Sequence, residues 1–364
     1  MRLMIRNWKV RDYVNGDEIK IFKLWQAIHP TNKRSLNDWL TWWNWMYKQN
    51  PAGQGIIFVA DHNDMIVGHY AIVPMLMNVN KNIVVGSLSL DTMTHPDYRR
   101  LGIFEALAKA TYSYGQSKGI NLVIGTPNIY SGPGLINKLN WFIVSSHQLF
   151  FKPLNWENAL RHRIHNKILL KICGNIGKLS QHTIYRNRSK IPRNINIIKI
   201  SSFDDRIDEF WNDISHYHPI TVVKNKEFLN WRYVAVPDKK YTIYIAETGN
   251  KIEGYIILRY ETKKTRKIGL IFDMVVRPSR KDVIYLLVSK AIEYFSSENV
   301  DLIEYYMFTD KLFQRALRDM GFIKLPSFFE KNIFCIYSKI PVDTMEFLKD
   351  KRNWFVQLGD SDLL

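Results

Sequence analysis

The chain has 364 residues, more than one hydrophobic core ordinarily serves, so two domains are expected. Hydrophobic residues make up 46% and charged residues 23%, a globular balance that excludes a disordered or fibrous chain. No apolar run is long enough to span a bilayer, and charges break the first ten residues, so neither a membrane span nor a secretory leader is expected. Cys173 and Cys335 are too few for a disulfide framework or a zinc site; no metal is expected, and a reducing cytoplasm is the natural compartment. The formal charge of +17 is uneven: residues 1–150 carry +6, 151–195 carry +9 and 196–364 carry +2.

In chain order, a helix is expected at 16–28, with Ile19, Phe22 and Ile28 on one face, and a Trp-rich helix at 36–47, ended by Pro51. Strands follow at 55–61, 65–74 and 83–94, then a helix at 102–118 and a buried strand at 121–126. A short helix at 135–139 and a strand at 141–150 close this stretch. The series then repeats. Asn44-Trp45-Met46-Tyr47 with Pro51 reappears as Asn230-Trp231-Arg232-Tyr233 with Pro237, an offset of 186 that also maps Trp25 onto Trp211 and Gly68 onto Gly254. After one four-residue gap an offset of 182 maps Asp91 onto Asp273, Pro96 onto Pro278 and Tyr112 onto Tyr294. A collinear series with a single gap marks an internal duplication. Second-unit strands are expected at 241–246, 251–259, 267–276, 302–308 and 333–340, and helices at 283–295 and 311–320. The order is that of a mixed-sheet α/β fold.

The segment Asp91-Thr-Met-Thr-His-Pro-Asp-Tyr-Arg-Arg-Leu-Gly-Ile-Phe104 carries the clearest chemistry. A strand ends at a proline and a helix opens at Gly102, leaving free main-chain N–H groups at a helix N-terminus, a ready anion site. Arg99 and Arg100 add positive charge, and Gly102 lets an anion reach the backbone. The aligned second stretch, Asp273 to Ile284, has lost the glycine and gained Asp282, so no anion site is expected there.

This turn resembles the (Arg/Gln)-x-x-Gly-x-(Gly/Ala) signature of the GNAT superfamily of N-acyltransferases, with Phe104 where the family has a small residue. The resemblance covers nearly all of both units. It implies two tandem GNAT-like domains, at 1–152 with an intact coenzyme A turn and at 196–340 in degenerate form. A basic helical connector at 153–195 joins them, and a C-terminal tail at 341–364 packs near the cleft. It implies acetyl-CoA, or another acyl-CoA, as cofactor and a primary amine, with aminosugars among the candidates, as acceptor. The main chain at Met93 and Thr94 would pair with the pantetheine arm. Arg99, Arg100, Leu101, Gly102, Ile103 and Phe104 would grip the pyrophosphate, and Asn128 and Ser131 would hold the pantetheine.

Direct attack on a thioester needs a neutral amine, hence a base. The candidates are Asp91, where the family often has an acidic residue, and His95 beside the turn, with Glu105 a third. The family's acid is a tyrosine seven residues beyond an asparagine. Leu135 stands at that distance from Asn128, so Tyr130 is the substitute candidate.

Leu160, Ile164, Ile168, Ile172 and Ile176 recur at helical spacing among lysines and arginines, so 153–180 reads as a basic amphipathic helix, either packed on a domain or touching an anionic membrane surface. In the tail, Asp360 and Asp362 are candidates to hold the acceptor. Two rival functions share the pattern. One is a peptidyltransferase of the Fem type using aminoacyl-tRNA, which the intact turn argues against; nucleic-acid contact is not expected. The other is a non-catalytic coenzyme A-binding scaffold.

Overall fold

The computed structural model describes residues 7–160, 194–307, 311–326, 333–339 and 342–362. Most of the basic connector, 161–193, lies outside the described residues, and so does the helical reading made for it.

In the first half, strands β1 (Lys9–Asp12), β2 (Ile56–His62), β3 (Met65–Val79), β4 (Asn82–Thr94), β5 (Leu122–Gly125), β6 (Phe142–Ser146) and β7 (Gln148–Pro153) alternate with helices α1 (Asp17–Ile28), α2 (Leu36–Trp43), α3 (Ile103–Ser117), α4 (Gly132–Leu139) and α5 (Trp156–Leu160). The second half supplies β8 (Asn196–Ile200), β9 (Ile220–Val222), β10 (Thr242–Thr248), β11 (Lys251–Lys263), β12 (Arg266–Val276), β13 (Leu302–Met307), β14 (Ile323–Lys324) and β15 (Ile333–Ser338). Its helices are α6 (Arg206–Ile214), α7 (Lys226–Leu229), α8 (Lys281–Ser297), α9 (Lys311–Asp319) and α10 (Val342–Lys349).

The strands form two mixed sheets. The first runs β1-β2-β3-β4-β5-β15-β6, with β9 added beside β3; the second runs β14-β7-β13-β12-β11-β10-β8. The two halves therefore exchange strands. The stretch expected as one strand at 141–150 divides at His147, and only β6 stays in the first sheet. A one-residue link cannot turn a hairpin, so β7 crosses to pair with β13. In return β15 inserts between β5 and β6.

β3 runs past Pro74, where sequence placed its end. Pairing with β2 stops at Ile72, and Asn50 donates a side-chain hydrogen bond to the Pro74 carbonyl at 2.7 Å. The missing proline N–H therefore falls where no partner strand asks for one. β9 then takes up the far end of β3, at Met77–Val79.

The duplication is visible in three dimensions. α2 and α7 each pass into a π-helical turn, Asn44–Lys48 and Asn230–Val234. These turns face each other. The Trp45 indole donates to the Trp231 carbonyl at 2.8 Å, the Trp231 indole donates to the Trp45 carbonyl at 2.9 Å, and the rings stack with centroids 4.9 Å apart. Such a reciprocal contact is what a two-fold axis produces. Trp39, Trp43, Trp45 and Trp231 are buried in one hydrophobic cluster that contains residues of both halves.

Candidate active site

β4 and β5 run parallel and pair only at Ser87–Val123 and Leu88–Ile124. Beyond Leu88 the strands part, and the edge of β4 facing β5 is left without a partner strand. The cleft between them, about 220 Å³, is lined by Ser89–Met93, Gly125–Asn128, Ser131 and Leu135, and by Trp25, His29 and Asp362. A second cavity, about 470 Å³, opens on the other side of Leu90, Asp91 and Asp362. Its walls include Asn32, Arg34, Trp42 and Met46 from the first half and Val236–Lys239 from the second. Asp91 and Asp362 thus stand where the two spaces meet.

A bulge places Asp91. Opposite β3, His69 pairs with Met93 but Ala71 pairs with Leu90, so β4 carries one extra residue here. Asp91 takes a left-handed backbone, with φ of 51°. His69 holds that backbone, its Nδ1 lying 2.7 Å from the Asp91 carbonyl, and burial lowers the His69 pKa to about 4. The ring is therefore neutral, and Nδ1 carries the proton that the carbonyl accepts. The Asp91 carboxylate accepts a 2.6 Å hydrogen bond from the Tyr47 hydroxyl. Burial raises Asp91 to about 6, against the opposing effects of Tyr47 and Arg34. Asp362 is raised to about 7, first by burial and then by the charge of Asp91. As a residue Asp362 is exposed, and it lines both cavities.

The second half shows what a purely structural aspartate looks like. Asp273, the counterpart of Asp91, also accepts from the tyrosine of its NWxY motif, Tyr233, at 3.0 Å. There, however, the Lys224 ammonium lies 2.8 Å away and fully buried, with Asp360 as its second carboxylate. Asp91 has no ammonium within salt-bridge distance among the described residues. One copy is sealed by a cation, and the other keeps a titratable carboxylate at a cavity.

The turn at 99–104 has the expected shape. Arg100 and Gly102 adopt φ of 64° and 80°, and α3 begins at Ile103. The amides of Leu101–Phe104 have no acceptor among the described residues, as the first turn of a helix requires. Phe104 does not fill this cradle. Its ring packs against α4, where a Cβ on Gly134 would stand 2.6 Å from it. The bulky residue is matched by a glycine on the facing helix. In the second half the corresponding charge is consumed locally: Arg280 binds Asp282 at 2.9 Å and Glu253 at 2.7 Å.

Other sequence candidates fall elsewhere. His95 caps a short turn, its Nδ1 accepting from the Asp97 amide at 3.3 Å, and lines neither cavity. Tyr130 is 87% exposed and also outside both. Glu105 pairs with Lys109 at 2.6 Å on the surface of α3. Asn128 and Ser131 do line the cleft, where the Asn128 side chain accepts from the Tyr130 and Ser131 amides and opens α4. Met93 lines it too, and Thr94 pairs with Gly68 one residue beyond. Asp360, expected at the acceptor, is instead buried on Lys224. Sequence reasoning missed Tyr47 and His69. Tyr47 had a signal, since the repeated NWxY motif and the repeated aspartate coincide in both copies. His69 had none.

Comparisons agree with this geometry. Residues 9–144 match the model of the acetyltransferase (GNAT) domain family. No curated protein matches the chain. Among solved structures, a GCN5-related N-acetyltransferase from Anabaena variabilis superposes with a TM-score of 0.61 at 13% identity, over 91% of this chain and 72% of that one. Saccharomyces cerevisiae N-myristoyltransferase with bound myristoyl-CoA gives 0.57 at 13% identity, over 93% and 80%. A tandem GNAT protein from the clavulanic acid biosynthesis pathway gives 0.56 at 14% identity, over 93% and all of that chain. The parted strands accord with the match of residues 9–144 to the acetyltransferase (GNAT) domain family, in a chain whose fold is similar to that of a tandem GNAT protein.

Proposed function

We propose that the chain transfers an acetyl group from acetyl-CoA to a small primary amine, with an aminosugar as the favoured acceptor. The observation that carries this reading is the position of Asp91, between a cleft shaped for a pantetheine arm and a separate polar cavity. The residues fit the cofactor. The open amides of Leu101–Phe104, with Arg99 and Arg100 beside them, suit a pyrophosphate, and the free edge of β4 from Ser89 to Thr94 suits an amide-bearing chain added like a strand. When bound, acetyl-CoA supplies the thioester carbonyl that the amine attacks.

The protein's own part is to deliver and deprotonate that amine. An acceptor in the larger cavity meets Asn32, Arg34, Asp238 and Lys239, with Trp42 as an apolar face for a sugar ring. Its ammonium points at Asp91 and Asp362. Asp91, with a pKa of about 6, is ionised at neutral pH yet basic enough to take the proton. The ammonium gives one proton to Asp91 and becomes the neutral nucleophile. A second leaves the nitrogen as the nitrogen–carbon bond forms and ends on the sulfur as the carbon–sulfur bond breaks, so each turnover of an ammonium acceptor releases one proton, from Asp91 to solvent. The acid assigned to Tyr130 finds no support at its exposed position. The same reading places the protein in the cytoplasm. The basic stretch 153–180 either packs on a domain or touches an anionic membrane surface, and the +9 charge of residues 151–195 is what supports the second.

The test is thiol release from acetyl-CoA with a panel of primary amines that includes aminosugars. Turnover with amines but not with the corresponding alcohols is expected. Acetyl-CoA binding without turnover of any amine would favour a non-catalytic scaffold. The pH profile adds a sharper check. The rate falls as pH drops through about 6, because protonated Asp91 cannot accept the ammonium proton. In Tyr47→Phe the hydroxyl that favours the ionised carboxylate is gone, so the acid limb moves to higher pH while acetyl-CoA affinity is kept. An acid limb that stays in place would remove Asp91 from the role of base.

A further inference from the structure

The second half has its own parted strands. β12 and β13 pair in parallel only as far as Ile271–Tyr305, and the edge of β12 beyond that point corresponds to the pantetheine-facing edge of β4. This edge is not free, because the C-terminal tail lies in it. The Met274 amide donates to the Gln357 side-chain oxygen, and the Gln357 side-chain nitrogen donates back to the Met274 carbonyl, both at 2.8 Å. By the 182-residue offset Met274 is the counterpart of Thr92, inside the first cleft. Gln357 thus offers one main-chain unit of β12 an amide in the way that a paired strand or a pantetheine amide would. The Tyr305 hydroxyl donates to the same Gln357 oxygen at 2.7 Å, and Met307 of β13 bridges to Gln357 from the other wall.

The rest of the tail is fixed as firmly. Asp360 binds the buried Lys224 ammonium and accepts from the Gln357 amide at 3.0 Å. The Arg232 guanidinium donates to the Gly359 carbonyl at 2.9 Å and to the Ser361 carbonyl. Gly359 passes so close to Tyr233 that a Cβ would lie 1.8 Å from its hydroxyl oxygen. Gln357, Asp360 and Ser361 are all buried. The next residue, Asp362, emerges at the two cavities of the first half.

We propose that the cleft of the second half is a socket for the chain's own tail, and that seating Gln357 and Asp360 there sets Asp362 beside Asp91. The proposal rests on the reading that these two carboxylates serve the acceptor. The degenerate copy then has a definite role. Its parted strands hold a peptide in place of an acyl-CoA, and its buried cation anchors that peptide. Gln357, Lys224 and Arg232 are positioning residues acting through Asp362. Among the described residues, the charged or titratable groups facing Asp362 are Asp91, Tyr47, His29, Arg34, Arg232, Asp238 and Lys239.

The test follows the carboxyl carbons of 13C-labelled aspartates by NMR through a pH titration of the full chain, which needs no acceptor. Asp91→Asn and Asp362→Asn assign the two signals. In the wild type both carboxyls titrate above the ordinary aspartate range. In Gln357→Met, which keeps the length but can neither accept from the Met274 amide nor donate to its carbonyl, the Asp362 signal returns toward the ordinary range while Asp91 stays high. Tyr305→Phe, which removes the second donor to the Gln357 oxygen, repeats the effect to a smaller extent. Melting curves and acetyl-CoA binding confirm that both variants are folded. With a turned-over amine, Gln357→Met lowers kcat by about 100-fold, the scale of a misplaced group, and adds nothing to Asp362→Asn. An Asp362 signal unmoved in both folded variants overturns the socket. So does a kcat loss that persists in full when Asp362 is already asparagine. An Asp362 that titrates as an ordinary aspartate in the wild type contradicts the underlying two-carboxylate reading instead, and the two failures are thereby told apart.

Discussion

Asp91→Asn lowers kcat by about 100- to 10,000-fold, the range expected for loss of a general base, with acetyl-CoA affinity and melting temperature nearly unchanged. The substitution keeps shape and keeps an acceptor for the Tyr47 hydroxyl, so the bulge and its contact with His69 persist. What disappears is a carboxylate that burial has made more basic than usual. The matching change in the second half, Asp273→Asn, has the opposite signature. It weakens a buried charge-assisted hydrogen bond to Lys224 while Asp360 remains as the counter-ion, so stability falls by about 1–3 kcal/mol. Steady-state kinetics and denaturant unfolding on the pair of variants separate the two outcomes. Equal effects on both measurements would mean that the two aspartates share one structural role.

Gly102→Asp abolishes acetyl-CoA binding while the protein stays folded. Gly102 sits at φ of 80° with nothing within 4 Å of a Cβ placed on it, so space is not the obstacle. The left-handed backbone costs a side chain about 1–2 kcal/mol. The larger effect is electrostatic. A carboxylate about 5 Å from a phosphate charge, at an effective dielectric of about 20, opposes binding by about 3 kcal/mol. That energy corresponds to more than about 100-fold in affinity. The second half has lost the glycine, with Ile284 at the place of Gly102, and has a carboxylate nearby, Asp282 in the first turn of α8 with Arg280 folded onto it. The measurement is protection against thermal unfolding by acetyl-CoA, strong in the wild type and absent in the variant. Retained protection would move the pyrophosphate away from the Arg99–Phe104 turn.

Much of the architecture was legible because local rules decide it. Period-3.6 apolar faces gave α1, α3 and α8 to within a residue or two, and the duplicated NWxY motif exposed two units whose symmetry the Trp45–Trp231 contact makes physical. The shape of the Arg99–Phe104 turn was legible because helix termini leave main-chain amides open to an anion, which a glycine and two arginines announce. The strand exchange was not legible. β7 and β15 read as ordinary strands, and which sheet receives them depends on the single-residue link at His147 and on pairings made far along the chain. Pro74 similarly suggested a strand end, because its tolerance depends on where β2 stops. At the site, Asp91 was legible as a candidate base, and what sets it apart from Asp273 was not. Asp273 shares its place in the repeat and its tyrosine partner, and the difference lies in Lys224, outside the motifs that align around the two aspartates. Asp360 and Asp362 were paired by sequence but separated by geometry. One is buried on Lys224, and the other faces the cavities, because the tail leaves its socket between them.

Calorimetric titration of acetyl-CoA into the full chain puts the division of labour between the halves to the test. The arrangement of an open cleft in the first half and a tail-filled cleft in the second predicts one binding site per chain. Two sites would show that the tail does not hold the second cleft, and no binding would contradict acetyl-CoA as the donor for the first.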